Sequence, residues 1–204
     1  MTPTGEQPGE QVDERSCEQP GEQVDERSGE QVALYDPDDD TGRVVGQAPR
    51  ARMRRENLPH AASVVLVRRP TGELHVHRRA DTKDVWPGRH DCAAGGVVQA
   101  GEQPSDGAHR ELAEELGIVG APLDPLLTRW YRDEDTWCLA FVHTVVWDGD
   151  VRFADGEVAA GWWEQPAALY ERLADPGWPC VSDTRALLGL PRVRALLLGP
   201  SPSR

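Results

Sequence analysis

The chain is nearly without lysine. One lysine, Lys83, stands against 21 arginines in 204 residues, a bias that reads as coding-sequence base composition rather than function. Positive charge of any kind is short: 22 basic against 35 acidic residues give a formal charge of −13. Nucleic-acid polymers are therefore not expected as partners, because their affinity comes largely from Lys and Arg neutralising phosphates. Cysteine occurs singly at Cys17, Cys92, Cys138 and Cys180, which offers neither a disulfide framework nor a Cys/His zinc spacing. No apolar run is long enough to span a bilayer, and the start is not basic-then-apolar like a signal peptide. The expectation is a protein of the reducing cytoplasm with no membrane partner.

Large apolar residues are also missing before Leu34. Residues 1–40 hold thirteen acids against Arg15 and Arg27, so this first fifth carries −11 of the total charge of −13. The same stretch repeats itself, EQPGEQVDERS at 6–16 recurring at 18–28. Val12 and Val24 cannot supply the buried position that each repeat of a solenoid needs. With so little to bury, the ordering entropy is not offset. Residues 1–32 are expected to form a disordered acidic tail, 33–199 one domain and 200–204 a short tail.

Within the domain, residues 60–68 read as a buried strand, Pro70-Thr71-Gly72 as a turn and 73–78 as the returning strand. Residues 81–92 form a loop around Trp86-Pro87-Gly88, and 93–98 a short strand. Residues 126–131 and 136–147 read as an antiparallel pair, and 161–163 as a further strand. Helices are expected at 104–116, 165–173 and 183–198, the last notched at Pro191. Strands, a helix, strands, then helices give an α/β fold, a mixed sheet covered on both faces.

The densest signal lies between Gly96 and Ile118. Gly96 is followed after five residues by Glu102, and after seven more by Arg110-Glu111-Leu112-Ala113-Glu114-Glu115-Leu116-Gly117-Ile118. Pro104 suits a first helical position, Asp106 adds negative charge to the first turn and Gly117 suits the terminus. Gln103 stands where Ser or Thr would cap better. Glu111, Glu114 and Glu115 at i, i+3 and i+4 crowd one helix face, with Ala108, Leu112, Ala113 and Leu116 as the apolar stripe. Like charges at this spacing cost about 0.2–0.5 kcal/mol each. A hard cation such as Mg²⁺, which takes oxygen ligands, gives that crowding a purpose. A guanidinium fork at Arg110 can hold clustered carboxylates by paired hydrogen bonds.

This segment matches the Nudix box at every defining position, so the chain resembles Nudix hydrolases, enzymes that cleave diphosphates linked to another moiety. The resemblance implies a Nudix α/β/α sandwich with a mixed sheet. It implies Mg²⁺, with Mn²⁺ as a substitute, on Glu111, Glu114 and Glu115, with Glu102 in support. It further implies a small-molecule diphosphate substrate, attack of water at phosphorus and a homodimer as one form of assembly. The catalytic set it implies is Glu114, Glu115, Arg110 as organiser, and Glu157 on a later loop as a candidate general base. Trp163, followed by Trp86 or Trp162, is a candidate wall for the organic moiety.

Upstream, HVHRRADTKDVWPGRHD after NLPHAASVVLV resembles the Nudix branch that includes isopentenyl-diphosphate isomerase. There an Arg and a Lys four residues apart grip the diphosphate, and Arg79 and Lys83 fall on those positions. The catalytic cysteine of that branch is missing: Ala93-Ala94-Gly95-Gly96 stand there, with Cys92 offset. Of the isomerase's metal histidines, His60 alone matches. His75 and His77, at i,i+2, are expected on an outward polar strand face, and Cys92 and Cys138 as packing thiols. An isomerase-like grip with hydrolase glutamates favours hydrolysis. The alternatives are an isomerase-like enzyme and a metabolite-binding Nudix domain without activity.

Overall fold

A computed structural model describes residues 29–199. The proposed disordered segment therefore lies almost entirely outside the described residues, as does the tail at 200–204. The elements in chain order are β1 (Gln31–Tyr35), β2 (Val44–Pro49), α1 (Arg50–Glu56), β3 (His60–Arg68), β4 (Leu74–Arg79), β5 (His90–Asp91), β6 (Ala94–Val97), α2 (Pro104–Leu116), β7 (Asp124–Arg132), β8 (Trp137–Val146), β9 (Val158–Glu164), α3 (Pro166–Ala174), α4 (Ser182–Leu188) and α5 (Pro191–Leu198).

The strands form one mixed sheet organised on β3. β8 runs parallel to β3, from His60 opposite Cys138 to Arg68 opposite Val146. β6 lies antiparallel to β3, with Ser63 opposite Gly96 and Val64 opposite Gly95. β4 turns back after β3 and pairs with β9 and β5. Because side chains alternate along a strand, β3 feeds two cores. Val65 and Val67 pack with Ala108, Leu112, Leu116 and Ile118 around α2. Val64 and Leu66 pack with Val142, Leu169, Leu187, Leu188 and Val193 under α3, α4 and α5. The expected α/β/α layering is what these two cores hold together.

Helix α2 spans the predicted residues. Pro104 occupies its first turn, Gln103 makes no side-chain cap, and Gly117 ends it at φ 66°, a conformation that favours glycine. In place of a side-chain cap, the Gln103 carbonyl accepts the N–H groups of Asp106 (2.9 Å) and Gly107 (3.0 Å).

Three features differ from the sequence expectation. First, β1 begins at Gln31, and Val32 is fully buried against Met53 and Val97, so the folded unit starts before residue 33. Second, β2 and α1 follow it although neither carries a clear apolar period; α1 is anchored by Met53 and ends at Asn57 in the left-handed region, φ 46°. Third, the last helix is two, because Pro191 starts α5 after a break at Gly189 and Leu190.

Candidate active site

Two of the three glutamates of α2 are turned inward, not out to water. Glu111 is 3 % exposed and Glu115 1 %. Both lie against β6, where the absence of side chains at Gly95 and Gly96 makes room. A Cβ on Gly96 would stand 2.3 Å from Glu111 Oε1, and the Gly95 N–H donates to Glu115 Oε2 at 3.1 Å. The first glycine of the box thus serves close approach of helix carboxylates to the strand. Burial pushes the Glu115 carboxyl up to about 8 and raises that of Glu111, since a charged group loses hydration there. Glu114 remains more open, with 42 % of its side chain exposed.

Arg110 holds the cluster from one side. Its Nε and Nη2 donate to the two oxygens of Glu102 at 2.9 and 3.1 Å, a bidentate pair. Its Nη1 reaches Glu111 Oε1 at 2.6 Å and Glu114 Oε2 at 3.2 Å, and Nη2 also donates to the Val97 carbonyl at 3.2 Å. Burial alone would raise the Glu102 carboxyl, but the Arg110 bonds and the Gln99 N–H outweigh it and leave it below its ordinary value.

Lys83 holds the other side. Its Nζ lies 3.4 Å from Glu115 Oε1 and is also paired with Glu157. The loop bearing Glu157 is tied down by the Ala80 N–H, which donates to the Glu157 carbonyl at 2.8 Å. A box glutamate and a residue 42 positions later are thus joined through one ammonium. Arg79 has other partners: Nη2 donates to the Val85 carbonyl at 3.0 Å and Nη1 lies 3.5 Å from Asp91. Among the described residues, no three acidic, His or Cys side chains stand as a ready ligand cluster; the carboxylates face Arg110 and Lys83 instead.

A cavity of about 110 Å³ lies beside this cluster, and Gly95 and Gly96 belong to its wall. Arg79 and Trp86 line it; Trp163 does not. Trp163 instead packs edge-on to His75 at 5.3 Å, with the Arg69 guanidinium 4.6 Å over its ring. Trp86 sits at φ 52° and donates from Nε1 to Asp135 Oδ2 at 2.9 Å, so the Trp86 loop is strapped to the β7–β8 turn. Other wall residues, Arg54, Arg129, Tyr131 and Asp183, were not anticipated. Arg129 and Tyr131 share one face of β7 by alternation, a pattern visible in the sequence but without a chemical signature.

The histidines correct the sequence reading. His75 and His77 are both buried, not on an outward face: β9 pairs with β4 and sets Trp163 beside His75, and Phe153 also packs on the His75 ring. Burial lowers their pKa values to about 3 and about 4. His60 is buried too, its Nδ1 2.9 Å from the Leu58 carbonyl. Cys92 and Cys138 pack in the interior as expected; Cys92 is 1 % exposed and belongs to the core under α3, α4 and α5. It does not line the cavity.

Known proteins resemble this chain. The family model for the NUDIX domain matches residues 58–183. The chain is 44 % identical to an uncharacterized Nudix hydrolase, orf19 of Rhodococcus erythropolis, over 77 % of this chain and 89 % of that one. It is 35 % identical to the uncharacterized Nudix hydrolase YfcD of Escherichia coli K12, over 66 % of this chain and 74 % of that one. Among solved structures, DR0079 of Deinococcus radiodurans superposes with a TM-score of 0.64 at 25 % identity, covering 78 % of this chain and 97 % of that one. With its box intact and the family model covering more than half its length, the chain belongs to the Nudix family of hydrolases.

Proposed function

We propose that this protein cleaves the diphosphate linkage of a small organic or nucleoside diphosphate by attack of water at phosphorus, with Mg²⁺ as cofactor and Mn²⁺ as a substitute. The observation that carries the reading is the burial of Glu111 and Glu115 beside β6, with Lys83 set between Glu115 and Glu157. Buried carboxylates stay ionised only beside a cation, and the ammonium already marks the place where positive charge is favoured. The donors are all carboxylate oxygens, which suits a hard divalent ion. Glu111, Glu114 and Glu115 would hold it, with Glu102 in support. Such an ion supplies Lewis-acid chemistry: it offsets the charge of the diphosphate and makes water more acidic.

The chain's own residues do the rest. Arg110 fixes the rotamers of Glu102, Glu111 and Glu114 by its fork. Lys83 and Arg79 are the diphosphate grip, since an ammonium point charge beside a guanidinium suits that ligand. Glu157, brought to the cluster from its loop, accepts the proton of the attacking water at a carboxylate oxygen. The isomerase alternative loses support from Cys92, whose thiol is enclosed beside Cys180 and pushed well up, first by its hydrogen bond with Cys180 and then by burial.

The test is product analysis by mass spectrometry, with Mg²⁺, on a panel of nucleoside diphosphate derivatives and isopentenyl diphosphate. Cleavage between phosphorus atoms is expected. Formation of dimethylallyl diphosphate without phosphate release would mean an isomerase, and binding without any turnover would mean a metabolite-binding domain.

A further inference from the structure

Two sets of cations surround this site, and they face different things. Lys83 and Arg110 are engaged by the glutamates. Arg54 from α1 and Arg129 from β7 form no ion pair with those glutamates among the described residues, and both line the cavity that Gly95 and Gly96 also line.

Arg129 is the less compensated of the two. Its guanidinium makes one hydrogen bond, from Nε to the Trp130 carbonyl at 3.4 Å. Among the described residues, no carboxylate lies within ion-pair distance of it. Arg54 has Asp84 at 3.3 Å, but Asp84 is shared with Arg50 at 3.4 Å, which in turn has Glu30 at 3.4 Å. The buried Nε of Arg79 makes no hydrogen bond, and that of Arg54 meets Asp84 Oδ2 only as an ion pair at 3.3 Å.

The acids of the cavity do not cancel this charge. Asp91 accepts the N–H groups of Cys92 (2.7 Å) and Ala93 (3.2 Å) and the Thr184 hydroxyl (2.6 Å), and it balances Arg79. Asp183 is pushed up to about 7, first by burial and then by Asp91. Between these charges the walls are apolar or aromatic, from Val85, Trp86, Tyr131, Ala140 and Leu187.

We infer that the cavity takes the organic part of the diphosphate substrate, and that Arg129, with Arg54, receives a second anionic group on that part, a carboxylate or a phosphate monoester. The inference rests on the hydrolase reading for where the diphosphate lies: Gly95 and Gly96 line the cavity and also touch the box carboxylates Glu115 and Glu111. Arg79, one half of the proposed diphosphate grip, lines the same cavity as Arg129, so a diphosphate held at Arg79 puts its organic part within the cavity. A guanidinium fork suits either anion, since both present paired oxygens.

Two compound pairs with one diphosphate each separate the sources: UDP-glucuronic acid against UDP-glucose for a carboxylate, and NADPH against NADH for a phosphate monoester. Binding is measured by calorimetry with Mg²⁺ on the full chain carrying Glu115→Gln, and hydrolysis separately on the unsubstituted chain. In one pair the charged member is expected to bind roughly 10–100-fold tighter, the range one charge-assisted hydrogen bond contributes. Arg129→Met brings that ratio to about 1, and Arg129→Lys keeps part of it. Arg54→Met, on a separate element, repeats the test if Arg129→Met does not fold. Equal binding in both pairs, binding of none of the four, or a ratio that survives both Met variants overturns the inference. If the ratio behaves as inferred but the unsubstituted chain cleaves none of the four, the anion subsite stands and the hydrolase reading falls. Cleavage without charge preference does the reverse.

Discussion

Replacing Glu115 by Gln should make the metal-free protein more stable while ending its turnover. Glu115 is 1 % exposed, and burial carries its pKa from 4.5 to about 8. A group whose folded-state pKa is raised contributes stability that is complete below the unfolded value and lost as pH rises through the folded one. Here that window runs from pH 4.5 to about 8. Each unit within it costs about 1.4 kcal/mol, so at about pH 7.5 the native state has lost about 4 kcal/mol relative to acid. Gln has the same shape, cannot ionise, and still accepts the Gly95 N–H with its carbonyl. It gives up the 3.4 Å contact with Lys83 as an ion pair, which offsets part of the gain. A net stabilisation of about 2–3 kcal/mol remains, or about 4–12 °C in a domain of this size. The assay is thermal unfolding of both proteins in EDTA across pH 5 to 8. Added Mg²⁺ should then raise the midpoint of the unsubstituted chain far more than that of the variant. A variant less stable than its parent in EDTA near neutral pH, or one with the same pH slope, refutes the reasoning.

Gly96→Ala should lower kcat/KM at least about tenfold, because its Cβ would stand 2.3 Å from Glu111 Oε1 and an ångström-scale misplacement is costly in a site; steady-state kinetics checks it. Gly95→Ala should be worse for folding, by about 3 kcal/mol or more, since its Cβ would meet the Ser63 backbone oxygen at 2.1 Å; urea unfolding reads this directly. Lys83→Ala should raise KM for a diphosphate roughly 10–100-fold through loss of a charge-assisted contact, and an unchanged KM would remove Lys83 from the grip. A chain starting at residue 33 should be about 2–4 kcal/mol less stable than one starting at residue 29. It lacks the buried Val32 and the Gln31 carbonyl that accepts the Ala100 N–H at 2.8 Å; chemical denaturation of the two chains decides.

The box was legible because its chemistry requires fixed offsets along one helix. Glu111 and Glu115 at i,i+4 must share a face, Gly117 must end the helix, and Arg110 one residue before Glu111 can reach back to Glu102 as a fork. Local spacing alone carries that information. The strands at 60–68 and 136–147 were legible for the same reason, as apolar runs within a few residues of themselves. β1, β2 and α1 were less so, since β1 is held by Val32 and Tyr35, β2 is largely exposed and α1 is anchored by Met53.

What the sequence determined, then, is the Nudix helix, its carboxylates, the fork that orders them and the layered class of the fold, all of them consequences of residues close together in the chain. Tertiary structure decided which way those carboxylates face, because inward burial depends on two glycines from a different strand. It decided that Lys83 meets Glu115 and Glu157, 32 and 74 residues away. It placed Trp86 rather than Trp163 at the cavity, and it buried His75 and His77 beside β9. It also brought Arg54 and Arg129 to one cavity wall. Contacts of that separation depend on how the sheet curls and which strand lies beside which, and no short-range pattern of residues encodes that pairing.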